Sequence, residues 1–211
     1  MKRGLFITIE GPDGSGKSTQ IAYLKHFFEE KGIPCVFTRE PGGTAISEKL
    51  RTIILDRENS EMCAMAEALL YAASRAQHVE ELIKPALEEG KVVVCDRFID
   101  SSIAYQGFGR NLGDSVRIIN EQAVGGCMPD VTFLMKLAPE IGKSRIAKDA
   151  QDRLEQEKID FHKRVYEGYR ELAKIYPERF VQIDAGREKE DIRKEILSYI
   201  ENILEGSGLC R

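Results

Sequence analysis

Eight consecutive residues near the N-terminus have the types and the spacing needed to bind phosphate. They read Gly11-Pro12-Asp13-Gly14-Ser15-Gly16-Lys17-Ser18 and match the pattern G-x-x-x-x-G-K-[S/T] in full. Glycine lets the backbone curl until successive N–H groups point at phosphate oxygens, and the positive end of a following helix strengthens the anion site. Lys17 is expected to reach the β- and γ-phosphates, and Ser18 to coordinate Mg²⁺. All eight residues are therefore predicted to bind a nucleoside triphosphate.

A carboxylate ends the apolar run Val92-Val93-Val94-Cys95. If that run is a parallel strand, Asp96 lies at the edge of the sheet where ligands bind. There it could hold Mg²⁺ or a water of its shell, as the acidic residue of a Walker B motif does. The alternative is that Asp96 only forms a turn. Beside a phosphate-binding loop, we predict the metal-binding role.

A second group of residues suits an anionic acceptor that carries a planar base. Arg39 and Arg97 each follow a predicted strand, and guanidinium groups in that position suit a phosphate. Tyr71 and Arg75 are four residues apart on a predicted helix, so they share a face on which a ring can stack and a guanidinium can donate hydrogen bonds. Alternatively, Tyr71 packs in the core and Arg75 lies on a solvated face. No N-K-x-D segment for guanine recognition is present, which favours phosphoryl transfer to a small molecule over a GTPase switch.

The elements that must position these residues alternate along the chain between strand and helix patterns. Predicted strands cover residues 5–9, 35–38, 92–95, 131–135 and 180–183. Predicted helices follow the phosphate-binding loop and cover about 45–56, 61–89, 114–124 and 155–176, with a final helix marked by Ile192, Ile196 and Ile200. Apolar strands separated by helices predict an α/β protein, with a parallel sheet covered on both faces. The charge-rich stretch from Lys143 to Lys158 is predicted to be irregular.

Composition narrows the class of protein. The 211 residues are predicted to form a single domain, and the net charge of −4 argues against a nucleic-acid partner. No apolar run approaches the roughly 18 residues of a membrane span, and the N-terminus does not resemble a signal peptide. Five cysteines, with no C-x-x-C pair, argue against a zinc site, and their odd number indicates a reducing cytoplasm.

In five segments, nearly from end to end, the sequence resembles the bacterial thymidylate kinases. These segments are the phosphate-binding loop at 11–18; Thr38-Arg39-Glu40-Pro41-Gly42-Gly43-Thr44; Leu70-Tyr71-Ala72-Ala73-Ser74-Arg75; residues 96–107, with Asp96-Arg97-Phe98, Ser101-Ser102 and Ala104-Tyr105-Gln106-Gly107; and Asp152-Arg153-Leu154-Glu155. The resemblance implies the fold of P-loop nucleoside monophosphate kinases, with about five parallel strands. It also implies ATP-dependent conversion of dTMP to dTDP with Mg²⁺, by a homodimer.

The same resemblance implies roles for the phosphate and the sugar of dTMP. Arg39 and Arg97 would hold the monophosphate. Asp13 would contact the 3′-hydroxyl of the deoxyribose. Tyr105 would crowd the 2′ position and so favour deoxyribose over ribose.

Four more residues are implied in recognition of the base. Tyr71 takes the position of an aromatic ring that stacks on thymine. Arg75 would hydrogen-bond the edge of the base, helped by Ser102 and Gln106.

The stretch 143–158 would be the lid over the ATP phosphates. Some members of the family carry an arginine inside the phosphate-binding loop, where this chain has Gly14. The missing positive charge would then come from the lid, as in the bacterial subtype with a basic lid. Arg153 is the first candidate for this catalytic charge, and Arg145 and Lys148 come next. The alternative is that the stretch is an ordinary solvated segment.

Two other functions stay open on the residues alone. One is a P-loop kinase for a different nucleoside monophosphate or for a deoxynucleoside. The other is an ATPase switch of the partition type that binds a partner protein, although no second lysine precedes Lys17 in the loop. A kinase forms ADP in proportion to its acceptor, whereas a switch hydrolyses ATP without one.

Overall fold

A five-stranded, all-parallel sheet forms the centre of the structure, a computed structural model that describes residues 3–145 and 152–207. The strand order is β2-β3-β1-β4-β5. The strands are β1 (Phe6–Glu10), β2 (Cys35–Arg39), β3 (Val92–Asp96), β4 (Val131–Lys136) and β5 (Phe180–Asp184). All five predicted strands are present, and the parallel arrangement is confirmed.

Helices connect the strands and cover the sheet. They are α1 (Lys17–Glu30), α2 (Ala45–Leu55), α3 (Ala64–His78), α4 (Lys84–Glu88), α5 (Ile99–Ser102), α6 (Asp114–Val124), α7 (Pro139–Arg145), α8 (Ile159–Ile175) and α9 (Lys189–Ser207). Two π-helical turns continue α3 and α5, at Val79–Ile83 and Ile103–Gly109. Among the described residues, no helix has the length and apolar character needed to cross a bilayer.

The two faces of the sheet are buried in two separate apolar clusters. Ile7 and Ile9 of β1 pack with α1 and α9, where Leu24 and Ile196 are buried. Phe6, on the opposite face, packs with the cluster that includes Tyr169 of α8. Alternate strand residues point to opposite faces, so an apolar strand needs cover on both sides. Helices on both faces supply that cover, as predicted.

The topology brings the predicted site residues to one edge of the sheet. Strand β1 lies at the centre and pairs with β3, which pairs with β2. The register places Asp96 beside both Ile9 and Arg39, so three strands end together. The loop that follows β1 and the turns that follow β2 and β3 therefore surround the same space.

Several predicted boundaries were wrong. Residues 99–109, predicted as part of no element, form α5 and a π-helical turn, because buried contacts outweigh the two glycines Gly107 and Gly109. The predicted helix at 61–89 begins at Ala64 and has the π-helical turn Val79–Ile83 within it, and the helix predicted at 155–176 is Ile159–Ile175. Helix α7 extends to Arg145, so the first residues of the stretch 143–158 are helical rather than irregular.

Candidate active site

The phosphate-binding loop has the curled backbone that its glycines allow. Gly11, Gly14 and Gly16 all have positive φ, at 137°, 74° and 87°. These angles are costly for other residues, so the turn depends on glycine. The ammonium of Lys17 folds back over the loop and donates to the carbonyl oxygens of Gly11 (3.1 Å) and Pro12 (3.0 Å). The loop therefore presents a lysine at the place predicted for the phosphates.

Helix α7 fills the space beside Gly14. A Cβ atom at Gly14 would lie 2.3 Å from the carbonyl oxygen of Gly142, and a Cβ at Gly142 would lie 2.4 Å from that of Asp13. A larger side chain at either position would force the helix away from the loop. The same helix brings Arg145 to the loop, where its Nη1 donates to the Gly14 carbonyl at 3.3 Å. Arg145, from outside the loop, thus lies beside Gly14, the position at which some members of the family carry an arginine.

One cavity beside the phosphate-binding loop collects the predicted acceptor-binding residues. All eight line it: Asp13, Arg39, Tyr71, Arg75, Arg97, Ser102, Tyr105 and Gln106. Asp152, Leu154 and Glu155 also line it, so the segment 152–155 forms part of the cavity wall. Residues from five separate parts of the chain therefore form one site.

Arg97 is held in a fixed position at the junction of the cavity and the loop. Its φ of 65° lies in the left-handed region, which is unusual for a residue with a side chain. Its Nη1 donates to the Gly11 carbonyl at 3.0 Å, and its Nη2 forms an ion pair with Asp13. The Tyr105 hydroxyl donates to the other Asp13 oxygen at 2.8 Å. Burial alone would raise the pKa of Asp13, but Arg97, Lys17 and Tyr105 together lower it to about 2.

Glu10, a buried carboxyl group that was not among the predicted site residues, hydrogen-bonds to the segment that follows Arg97. Glu10 accepts hydrogen bonds from the Phe98 N–H (2.7 Å), the Ser101 hydroxyl (2.5 Å) and the Tyr169 hydroxyl (3.0 Å). These bonds fix the backbone directly after Arg97. Burial, with the charge of the nearby Asp100, raises the pKa of Glu10 to about 7. The sequence contained one signal for this role, since Glu10 directly precedes Gly11 of the phosphate-binding loop.

Arg75 is buried, and its guanidinium is bonded to groups within the protein. Its Nε and Nη2 contact Glu40 at 2.7 Å, its Nη2 also donates to the Phe98 carbonyl at 2.9 Å, and its Nη1 donates to Ser102 (2.9 Å) and Asn120. Four of these contacts are hydrogen bonds, and the contact between Nη2 and Glu40 is an ion pair. Arg75 therefore orders the walls of the cavity, and Ser102 is the group through which it reaches the interior.

The predicted lid cations lie in different places. Arg153 forms an ion pair with the buried Glu67 at 2.8 Å and donates to the Ile54 carbonyl at 3.0 Å, on the side of the cavity lined by Gln106 and Tyr71. Arg145 contacts the phosphate-binding loop. Lys148 lies outside the described residues.

Ser18 and Asp96 line a second groove, together with Ile21 of α1 and Thr38 of β2. The Asp96 Oδ1 atom is buried and has no hydrogen-bond partner in the described part of the chain. A buried carboxylate oxygen without a partner needs a ligand, and a hydroxyl beside a carboxylate suits a hard cation such as Mg²⁺. Within residues 3–145 and 152–207 there is no cluster of three or more His, Cys, Asp and Glu side chains for a metal. Most oxygens around such a cation would thus come from phosphate and water.

Comparison with known proteins agrees with this geometry. The sequence model of the family described as thymidylate kinase matches residues 9–196. The thymidylate kinase of Lactobacillus helveticus is 52% identical over 210 residues, which cover 96% of this chain and 98% of that protein. That of Halothermothrix orenii is 53% identical over 207 residues, which cover 96% and 99%.

A solved structure gives the same result for the fold. Thymidylate kinase from Ehrlichia chaffeensis matches with a TM-score of 0.77 and 32% identity, over 94% of this chain and 99% of that one. The fold is thus that of the P-loop nucleoside monophosphate kinases. The resemblance seen in the sequence is confirmed, and the chain belongs to the thymidylate kinase family.

Proposed function

We propose how this chain, as a single kinase domain, carries out the reaction of its family, the ATP-dependent phosphorylation of dTMP to dTDP. The observation that supports the proposal most strongly is that one cavity, next to the phosphate-binding loop, is lined by all eight residues expected to bind dTMP. An acceptor in this cavity has its phosphate beside Arg97, which itself contacts the loop at Gly11. Donor and acceptor phosphates thus meet at the end of β1.

The donor side is formed by residues 11–18. Their backbone N–H groups and the N-terminus of α1 bind the phosphates of ATP, and the ammonium of Lys17 leaves the Gly11 and Pro12 carbonyls for the β- and γ-phosphates. Ser18 and Asp96 would hold Mg²⁺, directly or through water. When bound, Mg²⁺ would offset the negative charge of the phosphates.

The acceptor side holds the three parts of dTMP separately. Arg97 and Arg39 bind the monophosphate, since both line the cavity and guanidinium suits phosphate. Asp13 accepts from the 3′-hydroxyl while Tyr105, hydrogen-bonded to Asp13, occupies the space beside the 2′ position. The ring of Tyr71 stacks on the base, and Ser102 and Gln106 bond its edge, with Arg75 holding Ser102 in place.

Transfer needs positioning and charge stabilisation rather than a general base. An oxygen of the dTMP phosphate attacks the γ-phosphorus of ATP, the bond from that phosphorus to the β–γ bridging oxygen breaks, and ADP leaves. The attacking phosphate is already an anion, so no proton has to be removed first. Lys17 and a lid cation stabilise the charge that spreads over the transferring group.

An assay of ADP formation with a panel of acceptors tests the proposed function. ADP should form in proportion to added dTMP and only slowly without an acceptor. Equal or greater turnover with another nucleoside monophosphate or with thymidine would contradict dTMP as the substrate. Hydrolysis of ATP that is indifferent to every acceptor would favour the ATPase switch instead.

Replacing Arg97 with alanine should raise KM for dTMP about 10- to 50-fold and leave KM for ATP within about threefold, because a charge-assisted contact to the monophosphate is lost. Isothermal titration with each nucleotide alone gives the corresponding affinities. Arg39→Ala should change the same constants in the same direction. Equal loss of affinity for both nucleotides would show that these arginines only support the structure.

A homodimer is proposed from an apolar surface on three neighbouring helices. Helix α3 packs against both α2 and α6. Five large apolar side chains on these helices are exposed: Ile46, Ile53, Met65, Leu69 and Ile118. Ile46 and Ile53 are seven residues apart, and Met65 and Leu69 are four apart, so each pair lies on one helix face. Large exposed apolar side chains on neighbouring helices are typical of an interface.

The variant Leu69→Lys tests this surface, because a charge in the centre of an apolar interface should dissociate the dimer. Sedimentation velocity should give a dimer for the wild type and a monomer for the variant, with unchanged circular dichroism. Ile175→Lys is a matched control, since Ile175 is 62% exposed on α8, outside this surface. A wild-type monomer at micromolar concentration would refute the dimer.

The cytoplasm is the proposed location. Four cysteines, at positions 35, 63, 95 and 127, are free in the structure. Free thiols are typical of proteins in a reducing compartment. The remaining cysteine, Cys210, lies outside the described residues.

A further inference from the structure

The amide of Gln106 is fixed in one orientation at the wall of the cavity. Its Nε2 donates to Oε1 of Glu67 at 2.9 Å, while its own Oε1 is buried and has no partner in residues 3–145 and 152–207. A carboxylate only accepts hydrogen bonds, so the NH₂ of Gln106 must face Glu67. If the amide rotated, the Gln106 carbonyl oxygen would face the Glu67 carboxylate, and two buried acceptors would be opposed. The carbonyl oxygen of Gln106 is therefore left for a donor on a ligand.

Glu67 is itself held firmly. It lies in the first turn of α3 and is fully buried. Its Oε1 also accepts from Arg110 Nε at 3.2 Å, and its Oε2 contacts Arg110 Nη2 at 3.0 Å and Arg153 Nη2 at 2.8 Å. Burial by itself would raise the pKa of Glu67, but hydrogen bonds from Arg110 and Gln106 and the charges of the two arginines outweigh it and lower the pKa. Glu67 is thus ionised at neutral pH and has no proton to donate.

Neither of the other polar groups proposed to face the base offers it a fixed acceptor. The Ser102 hydroxyl accepts from Arg75 and can still donate through its proton or accept on its second lone pair. Arg75 can only donate, and four hydrogen bonds within the protein already engage its guanidinium. Of these three side chains, only Gln106 offers the base an acceptor that cannot become a donor.

We propose that Glu67 is a specificity-determining positioning residue: by holding the Gln106 amide with its carbonyl toward the cavity, it makes the site select a pyrimidine that carries a hydrogen on N3. This inference rests on the proposed function, since it assumes that the base of the acceptor lies in this cavity. Thymine has an N3–H donor. Cytosine and its 5-methyl derivative have a lone pair on N3, which would face the Gln106 oxygen and leave two acceptors opposed.

The probe pair is dTMP and 5-methyl-dCMP, which share the methyl group, sugar and phosphate and differ only at N3 and C4 of the ring. The measured quantity is the ratio of kcat/KM for the two acceptors. In Glu67→Gln the side chain at position 67 can either donate or accept, so the Gln106 amide can rotate. The ratio should fall about 10-fold or more, the size of effect of one mismatched buried polar group.

A control and a rescue separate this role from a general loosening of the site. Arg110→Gln removes an ionic partner of the same carboxylate but leaves the bond from Gln106, so the ratio should stay within about twofold of the wild type. The double variant Glu67→Gln with Gln106→Glu reverses the hydrogen bond and keeps a carboxylate oxygen toward the cavity. It should restore most of the preference for dTMP.

Different results would refute the proposed function and the role of Glu67. A wild type that does not phosphorylate dTMP refutes the proposed function. A wild type that prefers dTMP, together with a folded Glu67→Gln variant of unchanged ratio, refutes the role of Glu67 alone. If Glu67→Gln does not fold, Glu67→Asp decides, since it keeps the charge but withdraws the oxygen from Gln106. Its ratio should fall at least threefold, and an unchanged ratio overturns the inference.

Discussion

Replacing Lys17 with alanine should lower kcat for dTMP about 100-fold or more, as removal of one preorganised electrostatic group does in other enzymes. The ammonium is buried at the mouth of the phosphate-binding loop and is held there by two backbone carbonyls. Its charge offsets negative charge that grows on the transferring group, so the loss should fall on kcat as well as on binding of ATP. Steady-state kinetics with MgATP and dTMP measure both.

Lys25→Ala is the matched control, because Lys25 lies on the same helix and is exposed to solvent. It removes one positive charge from α1 and should leave kcat within about twofold. A Lys17→Ala enzyme with near-normal kcat would remove the loop lysine from the mechanism.

The pH dependence gives a second measurement of the same lysine. Burial and the charge of Arg97 lower the pKa of Lys17 to about 8 in the free enzyme, although Asp13, Asp96 and Glu10 act in the opposite direction. The ammonium is present below that pH and is lost above it. Therefore kcat/KM for MgATP should decline as pH rises through about 8, and this decline should be absent in Lys17→Ala.

Local patterns were sufficient to predict the sheet and the edge at which the acceptor cavity lies, whereas the roles of Asp13, Ser102, Tyr105 and Gln106 were implied by the resemblance to the family. Apolar runs such as residues 92–95 leave few alternatives to a buried parallel strand. Arg39 ends β2 and Arg97 directly follows β3, so the ends of a parallel sheet place them at one edge. Periodicity and chain position were enough in these cases.

The supporting carboxylates could not be predicted in the same way, because their roles come from contacts distant in sequence. Glu67 bonds residues 106, 110 and 153, and Glu40 bonds Arg75 and His78. A partial signal existed for Glu67: it lies four residues before Tyr71 and eight before Arg75, on the same face of α3. The helix at 99–109 was missed because its glycines disfavour helix, whereas buried packing against α8 favours it.

The lid shows most clearly how the contacts change the ranking of candidates. The resemblance of residues 152–155 to the family favours Arg153 as the catalytic cation. In the structure Arg153 is paired with Glu67 beside the base-binding side of the cavity, whereas Arg145 contacts the phosphate-binding loop. Both roles stay predictions. On these contacts we expect Arg153→Ala to raise KM for dTMP more than it lowers kcat. We expect Arg145→Ala to lower kcat more than it raises KM for dTMP.

Arg145→Ala should lower kcat about 100-fold or more and change KM for dTMP by less than about threefold, because an arginine brought to a P-loop acts mainly on the transition state. Arg145 lies at the end of α7, which reaches the loop only because Gly14 and Gly142 allow close approach. Arg170→Ala, an exposed arginine paired with Glu167 on α8, is the matched control and should change kcat by less than twofold.

Gly142→Ala tests the same idea without removing any charge. The added Cβ would lie 2.4 Å from the Asp13 carbonyl oxygen, so α7 must shift and carry Arg145 away from the loop. The variant should therefore lose kcat in the same direction as Arg145→Ala, and combining the two should cost little more than either alone, since both remove one contact. If Arg145→Ala keeps kcat within about threefold of the parent while Arg153→Ala or Lys148→Ala does not, the catalytic charge comes from elsewhere in the lid. Full additivity of the two changes would show that Gly142 acts on the loop by a route independent of Arg145.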